Sequence, residues 1–126
     1  MLAIAFGANA GGIASPAAFS TPSGNIGCVY FKPTLRCDIR NGLNPKAARP
    51  SGCPSYTDWG QGLTLGPAGT RVVCAGDTAL GAPNRLAYGQ VWRRDGLACW
   101  SRVTGLTCQN ARGRGFFLSR ESWRRF

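Results

Sequence analysis

The sequence predicts a small, single-domain, all-β protein: a sandwich or partly open barrel of short antiparallel strands, cross-linked by disulfides. Three observations lead to this prediction. Among 126 residues there are 18 glycines and 8 prolines, too many for long helices and typical of a domain with many turns. Apolar and polar residues alternate over short segments, as they do in strands with one buried face. Six cysteines are regularly spaced, so covalent bridges can supplement a small core.

The alternation predicts individual strands along the chain. Residues 26–31 form one strand, a turn around Pro33 follows, and residues 35–39 return with every second residue apolar. The Gly-Pro-Ala-Gly segment at 66–69 predicts a hairpin turn. Further strands are predicted at residues 62–65, 70–75 and 85–92.

The C-terminal segment predicts a cysteine-closed hairpin, a turn at 113–115 and then an apolar strand. We expect Phe117 and Leu118 to help fill the core. The last five residues are too short for a stable isolated helix. We expect them to dock through Trp123 and Phe126.

The cysteine spacing predicts disulfides. Two pairs are nine residues apart, and residues nine apart can face each other in a hairpin with a tight loop. Other pairings stay open on spacing alone. Zinc is not expected, because the chain has no histidine and no Cys-x-x-Cys, and no cofactor is implied. The predicted bridges are Cys28–Cys37, Cys53–Cys74 and Cys99–Cys108.

The two short cysteine units resemble each other. With a shift of 71 residues, Asn25–Cys28 lies over Gly96–Cys99 and Leu35–Cys37 lies over Leu106–Cys108. The repeat is either a duplication or two hairpins built in the same way. Two copies do not predict a solenoid.

The N-terminal residues predict export. Residues 1–17 are interpreted as an export signal, possibly truncated because the first cation is Lys32, or as a disordered tail. Residues 18–126 are the predicted domain. The apolar run is shorter than the roughly 20 residues that a transmembrane helix needs. Bridged cysteines are typical of exported domains, so we expect a secreted or extracytoplasmic protein of the cell envelope.

The formal charge is +10, from 15 cations and 5 carboxylates. Such a charge favours anionic partners: outside the cytoplasm, a cell-wall or membrane-surface component or another protein, and not nucleic acid. A positive surface that merely maintains solubility is the alternative. Arginines cluster in the last third among aromatic residues, a combination that suits anionic or stacked ligands. The predicted binding residues are Arg112, Arg114, Arg120 and Glu121.

The turn at 113–115 has two interpretations. Its backbone N–H groups can form a nest for an anion beside Arg112 and Arg114. Alternatively, the glycines serve a turn that requires positive φ, which we favour because a single Gly-x-Gly is a weak signal.

The absence of histidine removes the commonest general base and the His-dependent triads. Asp77 and Glu121 are the carboxylate pair to consider for an extracytoplasmic hydrolase. Turn capping by Asp77 is favoured over catalysis, so no catalytic residue is assigned and a binding module is the leading hypothesis. A secreted inhibitor or toxin is the third.

Several motifs resemble a family of small exported proteins, mostly actinobacterial, catalogued as a domain of unknown function. The resemblance spans nearly the whole predicted domain and implies an exported, disulfide-bonded protein, with no activity attached. The motifs that carry it are residues 19–28, Leu35-Arg-Cys-Asp38, Val73-Cys-Ala-Gly-Asp77, Leu86-Ala-Tyr-Gly-Gln90, the Cys99–Cys108 unit and residues 113–121.

Overall fold

The computed structural model describes residues 15–126 and places them in two five-stranded antiparallel sheets. None of these residues forms a helix, so none forms one that is long and apolar enough to cross a membrane. The predicted export signal falls mainly on residues 1–14, which lie outside the described residues. The predicted all-β class is confirmed, and the sheets are not closed into a barrel.

The first sheet is a meander in which each strand pairs with the next along the chain. Its strands are β1 Ala18–Ser20, β2 Ile26–Phe31, β3 Thr34–Ile39, β4 Trp59–Gly66 and β5 Gly69–Cys74.

The second sheet repeats this order, so that its first and last strands are also edge strands. Its strands are β6 Val91–Arg94, β7 Leu97–Arg102, β8 Gly105–Gln109, β9 Gly115–Leu118 and β10 Trp123–Arg125.

One hydrophobic core lies between the sheets. The inward residues of both cysteine hairpins belong to it, and Leu43 and Ala47 of the loop between β3 and β4 add to it. Phe116 and Leu118 of β9 are fully buried. The assignment of Phe117 to the core is wrong, because alternation turns it to the opposite face of β9, where the Arg124 guanidinium lies 4.8 Å from its ring centre.

The repeat extends beyond the hairpins to both whole sheets. Phe19 pairs with Cys28, and Trp92 pairs with Cys99 in the same way. The rings of Phe19 and Trp92 meet in the core with centroids 5.4 Å apart. Strands β1–β5 therefore correspond in order to β6–β10, and equivalent aromatic residues contact each other between the sheets.

All three predicted disulfides are present. In each hairpin bridge the cysteines are directly opposite across the strand pair, with Cα atoms 4.1 Å apart. That spacing is close to the non-hydrogen-bonded pairs of antiparallel sheets. Both hairpin bridges are fully buried, whereas the cysteines of the third, Cys53–Cys74, are half-buried.

We expect a mild dithiol reductant to reduce Cys53–Cys74 before the hairpin bridges, because exchange requires access to a sulfur. The protein gains two hydrogens while the dithiol becomes its own disulfide. Stepwise reduction, alkylation and peptide mapping will identify the first thiols. Replacing both Cys53 and Cys74 with serine should lower the free energy of unfolding by about 3 kcal/mol. Reduction of a hairpin bridge first would contradict the expected order.

The predicted domain boundary at residue 18 is crossed by several contacts. The Trp92 indole N–H donates to the carbonyl of Pro16 at 2.7 Å, and the Arg93 N–H donates to the Ser15 hydroxyl. The Tyr30 N–H donates to the carbonyl of Ala17. Residues 15–17 are thus hydrogen-bonded to the sheets.

Two predicted strands differ from the observed ones by more than one residue at an end. In the segment predicted as a strand at 85–92, the strand begins only at Val91. Residues 86–90 form a turn, in which the Gln90 side chain accepts a hydrogen bond from the Ala87 N–H. Strand β4 starts at Trp59 rather than at residue 62. The Trp59 indole N–H donates to the carbonyl of Ala47, which fixes the start of the strand beside the preceding loop.

Candidate functional site

The turn that carries Arg112 and Arg114 has no vacant backbone nest. The side-chain oxygen of Asn110 accepts from the N–H groups of both arginines, at 2.9 and 3.0 Å. Gly113 has a φ of 81°, as the turn interpretation requires. The N–H groups that an anion would use are therefore already bonded within the protein.

Asn110 also connects this turn to the turn between β4 and β5. Its side-chain N–H₂ donates to the carbonyls of Gly66 and Pro67, at 2.9 and 3.1 Å. Asn110 is buried, and the two arginines that it positions are exposed. The two turns come from different sheets, so Asn110 connects the sheets at this end of the molecule.

Arg120 and Glu121 follow β9, whereas Arg112 and Arg114 precede it, so the four predicted binding residues divide between the two ends of that strand. Arg120 and Glu121 line a small cleft of about 160 Å³ together with Arg102 and Tyr88. The Ser119 hydroxyl in this cleft already bonds to Ser122. The predicted residues thus contribute to two separate surfaces.

Arg36 and Asp38 form a charged pair on the outer face of the first sheet. The Arg36 Nε and Nη2 atoms donate to the two carboxylate oxygens of Asp38, at 3.0 and 2.8 Å. Asp38 is almost completely buried, and it also accepts from the Ala79 N–H. Arg36 contacts Asp77 as well, through its carboxylate and its carbonyl. These contacts hold the loop after β5 against the sheet.

This arrangement bears on the proposed carboxylate pair. The hydrogen bond from Arg36, with its positive charge, lowers the pKa of Asp77 below its ordinary value. A general acid needs the opposite shift. Asp77 is also not among the residues that line the cleft with Glu121. Its contacts are those of a residue that fastens a loop.

A larger concavity lies between the edge strands β5 and β10, with the loop of residues 46–53 along it. This groove, which we call the basic groove, has a volume of about 800 Å³. Every residue from Thr70 to Ala75 lines it, so its wall is the edge of the first sheet. Trp123 and Arg125 line it from the second sheet.

The charges of the basic groove have one sign. Its lining includes Arg36, Lys46, Arg71 and Arg125, and no aspartate or glutamate. Within residues 15–126 the ion pairs all belong to Arg36. The other three cations are exposed. Lys46, Arg71 and Arg125 have no ion-pair partner among these residues, and together they create a potential that attracts anions.

Aromatic side chains help to position Lys46, one of the cations of the groove. The ammonium group of Lys46 lies 4.2 Å from the ring centre of Trp59, and the Arg49 guanidinium lies 4.0 Å from it. The indole N–H of Trp123 donates to the carbonyl of Pro45. The loop beside the groove is thus fastened to β4 and to β10, which fixes where its cation lies.

Sequence reasoning missed Lys46, Arg71 and Arg125 as a group. They come from a loop, an edge strand and the C-terminal strand, and no spacing in the sequence relates them. The composition did give the general signal, a charge of +10. Among the described residues no cluster of histidine, cysteine, aspartate and glutamate side chains is suited to hold a metal ion.

These features define a class: a disulfide-bonded protein of two corresponding antiparallel sheets with a basic groove between two sheet edges. A family model described as a family of unknown function (DUF6636) matches residues 1–126. The chain belongs to this family, which confirms the resemblance seen in the sequence. No curated protein and no solved structure matches it.

Proposed function

We propose that this protein is an exported, non-catalytic binding module that holds an extended anionic partner in the basic groove. The observation that carries the proposal is the convergence of Lys46, Arg71 and Arg125 on a groove without a carboxylate. A groove that presents one sign of charge concentrates ligands of the opposite sign. Its elongated wall of six consecutive residues, five of them in the edge strand β5, suits a chain rather than a small ion.

Export is part of the proposal. Three disulfides in a domain of this size are typical of proteins that work in an oxidising compartment. Anionic chains outside the cytoplasm include wall polymers, clustered lipid headgroups and acidic protein segments. The shared chemistry is a run of carboxylates or phosphates.

The groove is a better candidate than the predicted set of Arg112, Arg114, Arg120 and Glu121. Its cations face one concavity, whereas the predicted residues divide between two ends of β9. The proposal keeps the C-terminal strand as part of the surface, through Arg125. It also keeps the predicted combination of arginine and aromatic residues, because the Arg125 guanidinium lies 5.9 Å from the ring centre of Trp123.

We expect the charge reversal R71E/R125E to weaken binding to immobilised poly-L-glutamate and to polyphosphate by about 10- to 100-fold. A tenfold loss for each reversed charge corresponds to about 1.4 kcal/mol. Binding of the unmodified protein should weaken steadily as salt is raised, because screening reduces contacts between exposed charges. The measurement is the dissociation constant of each protein at several salt concentrations.

The matched control is R112E/R120E, which changes the net charge equally but lies outside the basic groove. Its affinity should fall by less than about threefold, because neither arginine lines the groove and only the net charge of the protein changes. Equal losses for the two double variants, or binding by the unmodified protein that is insensitive to salt, would refute the proposal.

A further inference from the structure

We propose that the partner in the basic groove is an acidic polypeptide segment that adds to the first sheet as a strand beside β5. The inference rests on the proposed function, and it specifies which of the possible anionic chains the groove binds. Three features of β5 carry it: its free hydrogen-bonding edge, its position along the groove and the charges around it.

The edge of β5 has unpaired backbone groups. Strands β4 and β5 are joined by the two-residue turn of Pro67 and Ala68, and Gly66 pairs with Gly69 next to it. In such hairpins the closing pair is hydrogen-bonded and the pairs then alternate. Thr70 and Val72 therefore direct their N–H and C=O groups away from β4. No other hydrogen bond described for residues 15–126 involves these backbone groups.

The free edge faces the groove and is long enough to receive a strand. Six consecutive residues from Thr70 line the groove, and an extended segment of that length spans about 20 Å. Val72 and Trp123 are partly buried against the core, so they supply apolar contact for alternate side chains of an incoming strand. Pairing along an edge with side-chain contacts at every second residue is an established mode of peptide recognition.

The positive charges around β5 determine which kind of strand can pair with its free edge. An exposed edge invites pairing with any chain, including a second copy of this protein. Two copies joined at β5 would bring their Arg71 side chains and their basic grooves together, and like charges across a strand pair are destabilising. An acidic segment instead meets Arg71 on one side and Lys46 and Arg125 on the others.

A glycan or polyphosphate chain satisfies the charges but lacks the regular amide pattern that pairs with Thr70 and Val72. The test compares three probes of equal charge: an acidic peptide of about eight residues, the same peptide N-methylated at every residue, so that neither edge can donate, and polyphosphate. N-methylation removes strand-pairing N–H groups and leaves the carboxylates. Isothermal titration with the full chain gives each dissociation constant.

We expect the unmodified peptide to bind at least tenfold more tightly than the N-methylated peptide or polyphosphate. The variant V72P removes one N–H group from the free edge. It leaves the charge of the protein and the hydrogen bonds between β5 and β4 unchanged. It should weaken binding of the peptide and leave that of polyphosphate unchanged. If V72P fails to fold, as judged by circular dichroism, the comparison of the unmodified peptide with the N-methylated peptide still tests strand addition.

The failures of the two proposals are distinguishable. Equal binding of all three probes, with loss in R71E/R125E, would overturn strand addition and leave an anion-binding groove. Loss of affinity that is equal in R71E/R125E and R112E/R120E would overturn the groove itself. A dimer that forms without peptide and is lost in V72P, as seen by light scattering, would place the free edge in a contact between copies and also overturn strand addition.

Discussion

G62A and G115A are each expected to lower the free energy of unfolding by about 3 kcal/mol or more, the upper end of the cost of overpacking. The two glycines occupy equivalent places in β4 and β9, next to the second cysteine of each hairpin. A Cβ on Gly62 would overlap the carbonyl oxygen of Cys37, and a Cβ on Gly115 would overlap that of Cys108. Backbone cannot yield there without breaking the strand pairing.

Urea denaturation followed by tryptophan fluorescence measures this effect. Gly66, in the same strand as Gly62, is the matched control: a Cβ there would meet only the Thr34 hydroxyl at an ordinary 3.7 Å. G66A should change stability by less than about 1 kcal/mol, since alanine is no better than a modest strand residue. G62A or G115A with a stability close to that of G66A would contradict the close approach of these strands.

D38A is expected to destabilise the protein by about 3–5 kcal/mol, the range for removing one partner of a buried ion pair. It removes both carboxylate oxygens that hold Arg36 and the acceptor of the Ala79 N–H. The same contacts hold the loop after β5 against the first sheet. Gly27 allows this loop to lie close to β2, since a Cβ on Gly27 would be 2.5 Å from the Ala79 carbonyl oxygen. Thermal unfolding of D38A measures the loss.

D77N is the control, because Asp77 shares Arg36 with Asp38 but is exposed. We expect a small change at neutral pH and a change in acid dependence. The pKa of Asp77 is lowered in the folded state, so its contribution is present above about pH 4 and disappears as the pH falls through its folded value. D77N should lack this part of the acid destabilisation. A larger loss in D77N than in D38A would contradict the dominant role of Asp38.

The cysteine hairpins could be predicted because their determinants are local. Two cysteines nine apart, flanking a two-residue turn, fall opposite each other on one face. The sequence signal for the turn between β6 and β7 is equally local. Asp95-Gly96 is an Asp-Gly pair with positive φ at both residues, 48° and 82°, as two-residue hairpins prefer.

The basic groove could not be predicted, because it depends on distant segments. It forms where the edge of one sheet lies near the edge of the other, a relation that alternation within strands does not specify. The loop beside it is irregular and is positioned by hydrogen bonds from the indoles of Trp59 and Trp123. In the sequence these tryptophans are only aromatic residues near cations. The predicted arginines, by contrast, are close in sequence, but β9 separates them in space.

The central claim is that the basic groove binds the anionic partner, and it is tested most directly by locating the bound acidic peptide on the protein. Amide chemical shifts of isotope-labelled protein, followed during titration with the acidic peptide, report which residues it contacts. Shifts should concentrate at residues 70–75, at Arg125 and at the Trp123 indole N–H, all of which belong to residues lining the groove. Shifts concentrated instead at Arg112 and Arg114, or at Arg120 and Glu121, would contradict it.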